Sequence, residues 1–133
     1  MTALFADTFY FIALLSPADA AHAKAVAFTR QFTGQLLTTA WVLTEIADGL
    51  IEAPARERFL QFYDRLRARD DITIVPCSED LFEQGIDLFR RRLDKEWSLT
   101  DCISFVVMQR QNINEALTED HHFEQAGFTA LLK

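Results

Sequence analysis

The chain has 133 residues, enough for one domain built on a single core, and the expected division is one domain over 1–133. Half of the residues are hydrophobic, with only four Gly and three Pro, which excludes a disordered chain and disfavours a many-turned all-β fold. The formal net charge of -7 excludes a broad basic face for duplex nucleic acid, yet permits a small site where metal ions offset acids and favours a basic partner.

The N-terminal run lacks a basic leader and meets Asp7 early, so no signal peptide is expected. No apolar run approaches the ~20 residues of a membrane span. Cys77 and Cys102 lie in apolar contexts and read as buried thiols, with neither a disulfide framework nor a zinc site implied. The expected location is therefore a reducing cytoplasm.

In chain order, 3–6 is a short apolar run, predicted to be a buried strand whose C-terminal end delivers Asp7. Residues 9–15 predict a short helix stopped by Ser16-Pro17. Asp19 caps a predicted helix over 20–31, with Ala21, Ala25, Phe28 and Phe32 near one face, and Gly34 ends it. Residues 35–39 predict a second strand. Residues 41–50 are helical in pattern, and Glu45 lies one turn from Trp41. Pro54 opens a helix over 55–69 carrying Phe59, Phe62, Tyr63 and Leu66, and 72–75 is a third strand. Ser78 caps a helix reaching about Lys95, with Glu79 and Asp80 in the dipole-favoured first turn.

From Ser98 to about Gln111 the pattern is apolar on almost every side, which marks a buried helix. Asp101 sits in its first turn, where free N–H groups tolerate an anion. Ser98 and Asp101 also have the spacing of a capping box, which by itself explains the acid. Residues 116–118 predict a fourth strand, followed by Glu119-Asp120, and 128–132 a fifth.

Short apolar strands alternating with helices imply an α/β fold with a mainly parallel sheet. In such sheets ligands bind at the carboxyl ends of strands, where strand order reverses. Asp7 and Asp120 follow predicted strands, and Glu45 and Asp101 lie early in helices, so one rim can collect all four. Crowded carboxylates repel and resist desolvation unless a divalent cation sits among them. Hard oxygen ligands suit Mg²⁺ or Mn²⁺, and such ions activate water and stabilise the leaving oxygen of a phosphodiester. Twenty acids allow many such groupings, so spacing alone does not select this one.

The stretches Leu4-Phe5-Ala6-Asp7-Thr8, Thr44-Glu45-Ile46-Ala47, Ser98-Leu99-Thr100-Asp101-Cys102 and Leu117-Thr118-Glu119-Asp120-His121-His122-Phe123 resemble the acidic motifs of PIN domains, and most closely those of VapC-type toxins of toxin–antitoxin pairs. The resemblance spans essentially the whole chain and includes the tail from Phe123 to Phe128. It implies a PIN-like three-layer fold with a mainly parallel five-stranded sheet flanked by helices. It implies an Mg²⁺- or Mn²⁺-dependent endoribonuclease, with Asp7, Glu45, Asp101 and Asp120 as catalytic metal ligands and Thr8 and Thr118 as supporting hydroxyls. The implied partners are an RNA substrate, an antitoxin and a second copy in a homodimer. One departure is the bulk of Ile103, Phe105, Val107 and Met108, where many relatives carry small residues.

Two other classes compete. A regulatory PIN-like module that binds nucleic acid without cutting has no need of all four acids. A phosphotransfer protein of dehalogenase type wants a second Asp two positions after Asp7, where Phe9 stands, and a receiver wants paired early acids with a strand-end Lys.

His121 and His122 beside Asp120 suit a transition metal, although loop histidines are usually solvated. His22 reads as a lone surface residue without a role. Trp41 and Trp97 are expected in the core or an interface, with base stacking the alternative. Arg56, Arg58, Arg65, Arg67 and Arg69 read as a solvated helix face. Arg90, Arg91 and Arg92, shortly before the Asp101 helix, read the same way, with phosphate contact the alternative. Phe59, Phe62 and Tyr63 suggest a groove for a partner helix, against ordinary packing.

Overall fold

A computed structural model describes residues 3–133; Met1 and Thr2, on which part of the leader reading falls, lie outside the described residues. The sheet is five-stranded in the order β3-β2-β1-β4-β5, and every pair is parallel. The strands are β1 (Ala3–Ala6), β2 (Gln35–Thr39), β3 (Ile72–Val75), β4 (Glu115–Leu117) and β5 (Thr129–Ala130). Seven helices flank it: α1 (Thr8–Leu15), α2 (His22–Gln31), α3 (Ala40–Asp48), α4 (Ala53–Ala68), α5 (Glu79–Arg91), α6 (Leu99–Arg110) and α7 (His121–Gln125). This is the PIN-like α/β arrangement that the resemblance implies.

β1 is the centre of the sheet because it is the run that tolerates cover on all sides. Leu4, Phe5 and Ala6 are buried, and Phe5 pairs with Leu37 of β2 and with Ala116 of β4. The chain moves outward from β1 through β2 to β3, then returns to place β4 on the other flank of β1. The reversal of strand order therefore falls between β1 and β4.

α6 is buried as its pattern requires. Every residue from Cys102 to Met108 is buried, including the bulky Ile103, Phe105, Val107 and Met108. The bulk is accommodated by aromatic packing and by one small residue opposite. Phe105 meets Trp97 and Phe123 edge-on at centroid distances of 5.0 and 4.9 Å. Gly85 of α5 lies so close to Ile103 that a Cβ there would stand 2.3 Å from Ile103 Cγ1.

Several expected boundaries and environments change. α1 begins at Thr8, directly after Asp7. α2 begins at His22, because the Asp19 carboxylate accepts from the Ala21 N–H and holds 19–21 as a turn before the helix. α5 stops at Arg91, short of Lys95, and the chain then bends where Arg92 pairs with Asp94 and covers the Trp97 ring. His22 is a half-buried tie, its Nδ1 donating to the Ala13 carbonyl at 2.7 Å. Trp97 is buried in the core, with Nε1 donating to Gln125 Oε1. Cys102 is buried as expected, but Cys77 is exposed, because Pro76 ends β3 and carries the chain out to the surface. Phe62 belongs to the core, packed edge-on to Phe11 at 5.4 Å, and is not part of an outer groove.

Candidate active site

The carboxyl ends of β1 and β4, on either side of the strand reversal, open onto a cavity of about 380 Å³. Asp7, Glu45, Asp101 and Asp120 all line it, joined by Glu119 and by Thr8, Phe9 and Ile12. Four acids separated by up to 113 positions (Asp7 to Asp120) thus meet in one place. Arg90, Arg91 and Arg92 are not among its lining residues; Arg91 pairs with Asp87, and Arg92 with Asp94.

Each acid reaches the cavity by a local device. Asp7 occupies the N-cap position of α1: its carbonyl accepts from the Tyr10 N–H at 3.1 Å, while its carboxylate makes no capping bond and is left for the cavity. Asp101 closes the capping box expected from the sequence and also lines the cavity. Its Oδ2 accepts from the Ser98 N–H at 3.2 Å, and Ser98 Oγ accepts from its N–H at 3.0 Å, completing a capping box that faces the cavity. Asp120 caps α7, its Oδ1 accepting from the His122 N–H at 2.9 Å. Glu45 is exposed at the cavity on α3, whose N-terminus is capped by Thr39.

Thr118 ties two acids together. Its buried hydroxyl donates to Asp7 Oδ2 at 2.9 Å and accepts from the Asp120 N–H at 3.0 Å. Thr8 Oγ1 is buried beside Asp7 and has no hydrogen-bond partner.

Electrostatics follow from this crowding. Burial pushes the Asp7 carboxyl up to about 7; the Thr118 hydrogen bond and the Thr8 N–H oppose the shift, and Asp101 and Glu45 reinforce it. Asp101 is raised as well, first by burial and then by Asp120 and Glu45, with the Ser98 N–H and His122 opposing. The constellation is unfavourable as a set of bare anions and is relieved by a cation. Oxygen donors at different depths, with an orphaned hydroxyl beside the deepest, fit a hard divalent ion.

His121 and His122 are not in an open loop; they form the first turn of α7. His121 is largely exposed, while His122 turns inward, its Nδ1 lying 3.4 Å from Asp101 Oδ2 and 3.3 Å from Asp120 Oδ1. The signal in the sequence was the buried Phe123 that follows, which anchors α7 against Phe5 and Phe105.

An acidic cavity at the switch point of a parallel sheet is a place where carboxylates can hold a divalent ion against a phosphodiester. The chain belongs to the PIN domain family, whose model matches residues 4–129. Within that family it is similar to the 23S rRNA-specific endonuclease VapC20 of Mycobacterium tuberculosis, 28% identical over 125 residues that cover 94% of this chain and 95% of that protein. The crystal structure of M. tuberculosis VapC20, described as a sarcin–ricin loop cleaving toxin, superposes with a TM-score of 0.87 at 26% identity, over 96% of this chain and 98% of the other. The fold is also shared with FitAcB from Neisseria gonorrhoeae, at a TM-score of 0.64 and 16% identity over 96% and 94% of the two chains. The chain is accordingly a metal-dependent nuclease of the PIN domain family.

Proposed function

We propose that this nuclease is an endoribonuclease, the toxin of a cytoplasmic toxin–antitoxin pair, and that Asp7, Glu45, Asp101 and Asp120 hold its Mg²⁺ or Mn²⁺. The observation that carries the ligand assignment is the convergence of these four acids on one cavity, with Asp7 pushed up to about 7 by burial. The bound ion supplies a water nucleophile and offsets charge on the leaving oxygen. The chain's own part is to hold the carboxylates apart at fixed depth: Thr118 orients Asp7, and the Ser98 box and the α7 cap orient Asp101 and Asp120. Structured ribosomal RNA, the substrate class named for VapC20, is the substrate on which we base the test.

The antitoxin fits a second cavity, of about 460 Å³, between α3 and α4. Leu43, Ala47, Phe59, Leu60, Tyr63 and the exposed Cys77 line it, so two of the three aromatic residues marked in the sequence face it. Thr44 and Ala47 line this groove while Glu45, between them, lines the acidic cavity. One segment can therefore lay apolar side chains in the groove and extend an Arg or Lys to the acids. An exposed stripe on and after α5, Phe82, Phe89 and Leu93, suits a second copy in a homodimer. No described helix is long and apolar enough to cross a membrane.

The test is cleavage of ribosomal RNA by purified protein with added Mg²⁺ or Mn²⁺. We expect cleavage that stops with chelator, and undiminished cleavage by rigorously metal-free protein would overturn the ligand assignment. For the partner, titration of the antitoxin with and without Mn²⁺ should show competition, because both neutralise the same carboxylates. Equal affinity in both conditions would mean that inhibition works by blocking RNA elsewhere.

A further inference from the structure

His122 is a group for which the nuclease reading has no use. Its Nδ1 is buried and makes no hydrogen bond, although two carboxylate oxygens lie at 3.3 and 3.4 Å. An imidazole N–H paired with a carboxylate closes to about 2.7–2.9 Å on one partner. Here the nitrogen lies at nearly equal distance from two oxygens and is closed onto neither. Donors that share one ion with bonds of about 2.1 Å stand roughly 3 Å apart when adjacent, close to the spacing seen.

The local fold holds this arrangement. The His122 backbone N–H donates to Asp120 Oδ1, so the carboxylate is fixed on the same short turn that carries the imidazole. Asp101 is held separately by the Ser98 box. Phe123, fully buried, anchors the turn beneath them. Asp120, His121 and His122 also offer ligand atoms that all lie within 4.8 Å of one another. His121 is mostly exposed and its Nδ1 is farther from Asp120, at 3.7 Å, so it lies at the margin of the group.

We propose that His122 Nδ1 is a direct ligand of the ion held by Asp101 and Asp120, and that this nitrogen biases the site toward first-row transition ions such as Mn²⁺ and against Mg²⁺. This rests on the metal-site reading above and adds a nitrogen donor to it. Imidazole raises affinity along the first-row series, of which Mn²⁺ is the weakest member, while Mg²⁺ selects hard oxygen donors and retains its waters. Neutral imidazole is the ligating form. The nitrogen then adds to the discrimination between ions that the carboxylates already make.

The experiment uses Mn²⁺ alone as probe. Pulsed electron paramagnetic resonance of Mn²⁺ bound to the full chain should show coupling to a histidine nitrogen, identified by isotopic labelling of histidine only. This readout needs no substitution and so does not depend on how a variant folds. Calorimetric titration with Mn²⁺ and with Mg²⁺ then gives the preference. His122→Gln should lower the ratio of Mn²⁺ to Mg²⁺ affinity by about tenfold or more, while His121→Ala leaves it unchanged. Mn²⁺ bound without histidine coupling, or an unchanged ratio in folded His122→Gln, overturns the nitrogen ligand and leaves the carboxylate site standing. Binding of Mn²⁺ that is undiminished by Asp101→Asn overturns the carboxylate site itself.

Discussion

Thr118 donates its hydroxyl to Asp7 across the gap between β4 and β1, a buried bond of 2.9 Å between residues 111 positions apart. That bond opposes the rise that burial imposes on Asp7. Thr118→Val keeps the shape and removes the donor, so the Asp7 carboxyl of the metal-free protein rises further and takes up metal less readily at neutral pH. Cleavage at pH 7 should fall by about tenfold and recover partly at higher pH, with a stability loss of about 1–3 kcal/mol from the unpaired Asp120 N–H. Thr118→Ser should retain most activity. A pH–rate profile for the three proteins checks this.

Asp101→Asn should abolish cleavage and spare the fold. An Asn oxygen still accepts from the Ser98 N–H, so the capping box keeps its geometry. Loss of the charge at the helix N-terminus costs about 0.3–1 kcal/mol, and relief of a buried, repelled carboxylate offsets it. The metal-free variant should melt close to wild type. Mn²⁺ should raise the melting temperature of wild type with concentration and leave the variant nearly unmoved.

Asp7 shapes the pH dependence of the metal-free protein, and Asp101 acts in the same direction. Its carboxyl titrates at about 7 when folded, against 3.8 for an ordinary aspartate, so the native state binds the extra proton between those values. Stability therefore falls as pH rises from about 4 to about 7 and levels off above, a loss on the order of several kcal/mol. Asp7→Asn should flatten that slope and stabilise the metal-free protein at pH 8. Metal requires the ionised form, so Mn²⁺ affinity should weaken as pH drops below about 7. Urea titrations across this range, with and without Mn²⁺, test both statements.

Gly85→Ala should destabilise, although Ala is the better helix former by about 1 kcal/mol. The added Cβ meets Ile103 Cγ1 at 2.3 Å and Ile103 Cα at 3.5 Å, and Ile103 is fully buried and β-branched. Overpacking of about 1–3 kcal/mol outweighs the propensity gain, so the net effect is a loss. Because α6 also carries Asp101, metal affinity should weaken with it. A denaturant midpoint above wild type would show that α5 moves away freely.

Local chemistry made much of this protein legible in its sequence. Buried strands show as short apolar runs, α6 as a helix without a polar side, and the capping box as Ser98 and Asp101 three residues apart. These signals are local, so they survive without knowledge of neighbours. They place Asp7 and Asp120 at element ends, and the resemblance selects those two with Glu45 and Asp101 from twenty acids. Tertiary structure decided what those acids experience. Only the return of β4 to the flank of β1 brings Thr118 to Asp7 and buries that carboxyl. Phe62, alike in pattern to Phe59 and Tyr63, is taken by Phe11 into the core, while Cys77 is left at the groove. His122, a loop residue by pattern, turns between two acids because Phe123 anchors one turn of helix. Burial and opposing charge are properties of strand neighbours, and a periodicity that repeats every few residues carries no record of which distant segment will lie alongside.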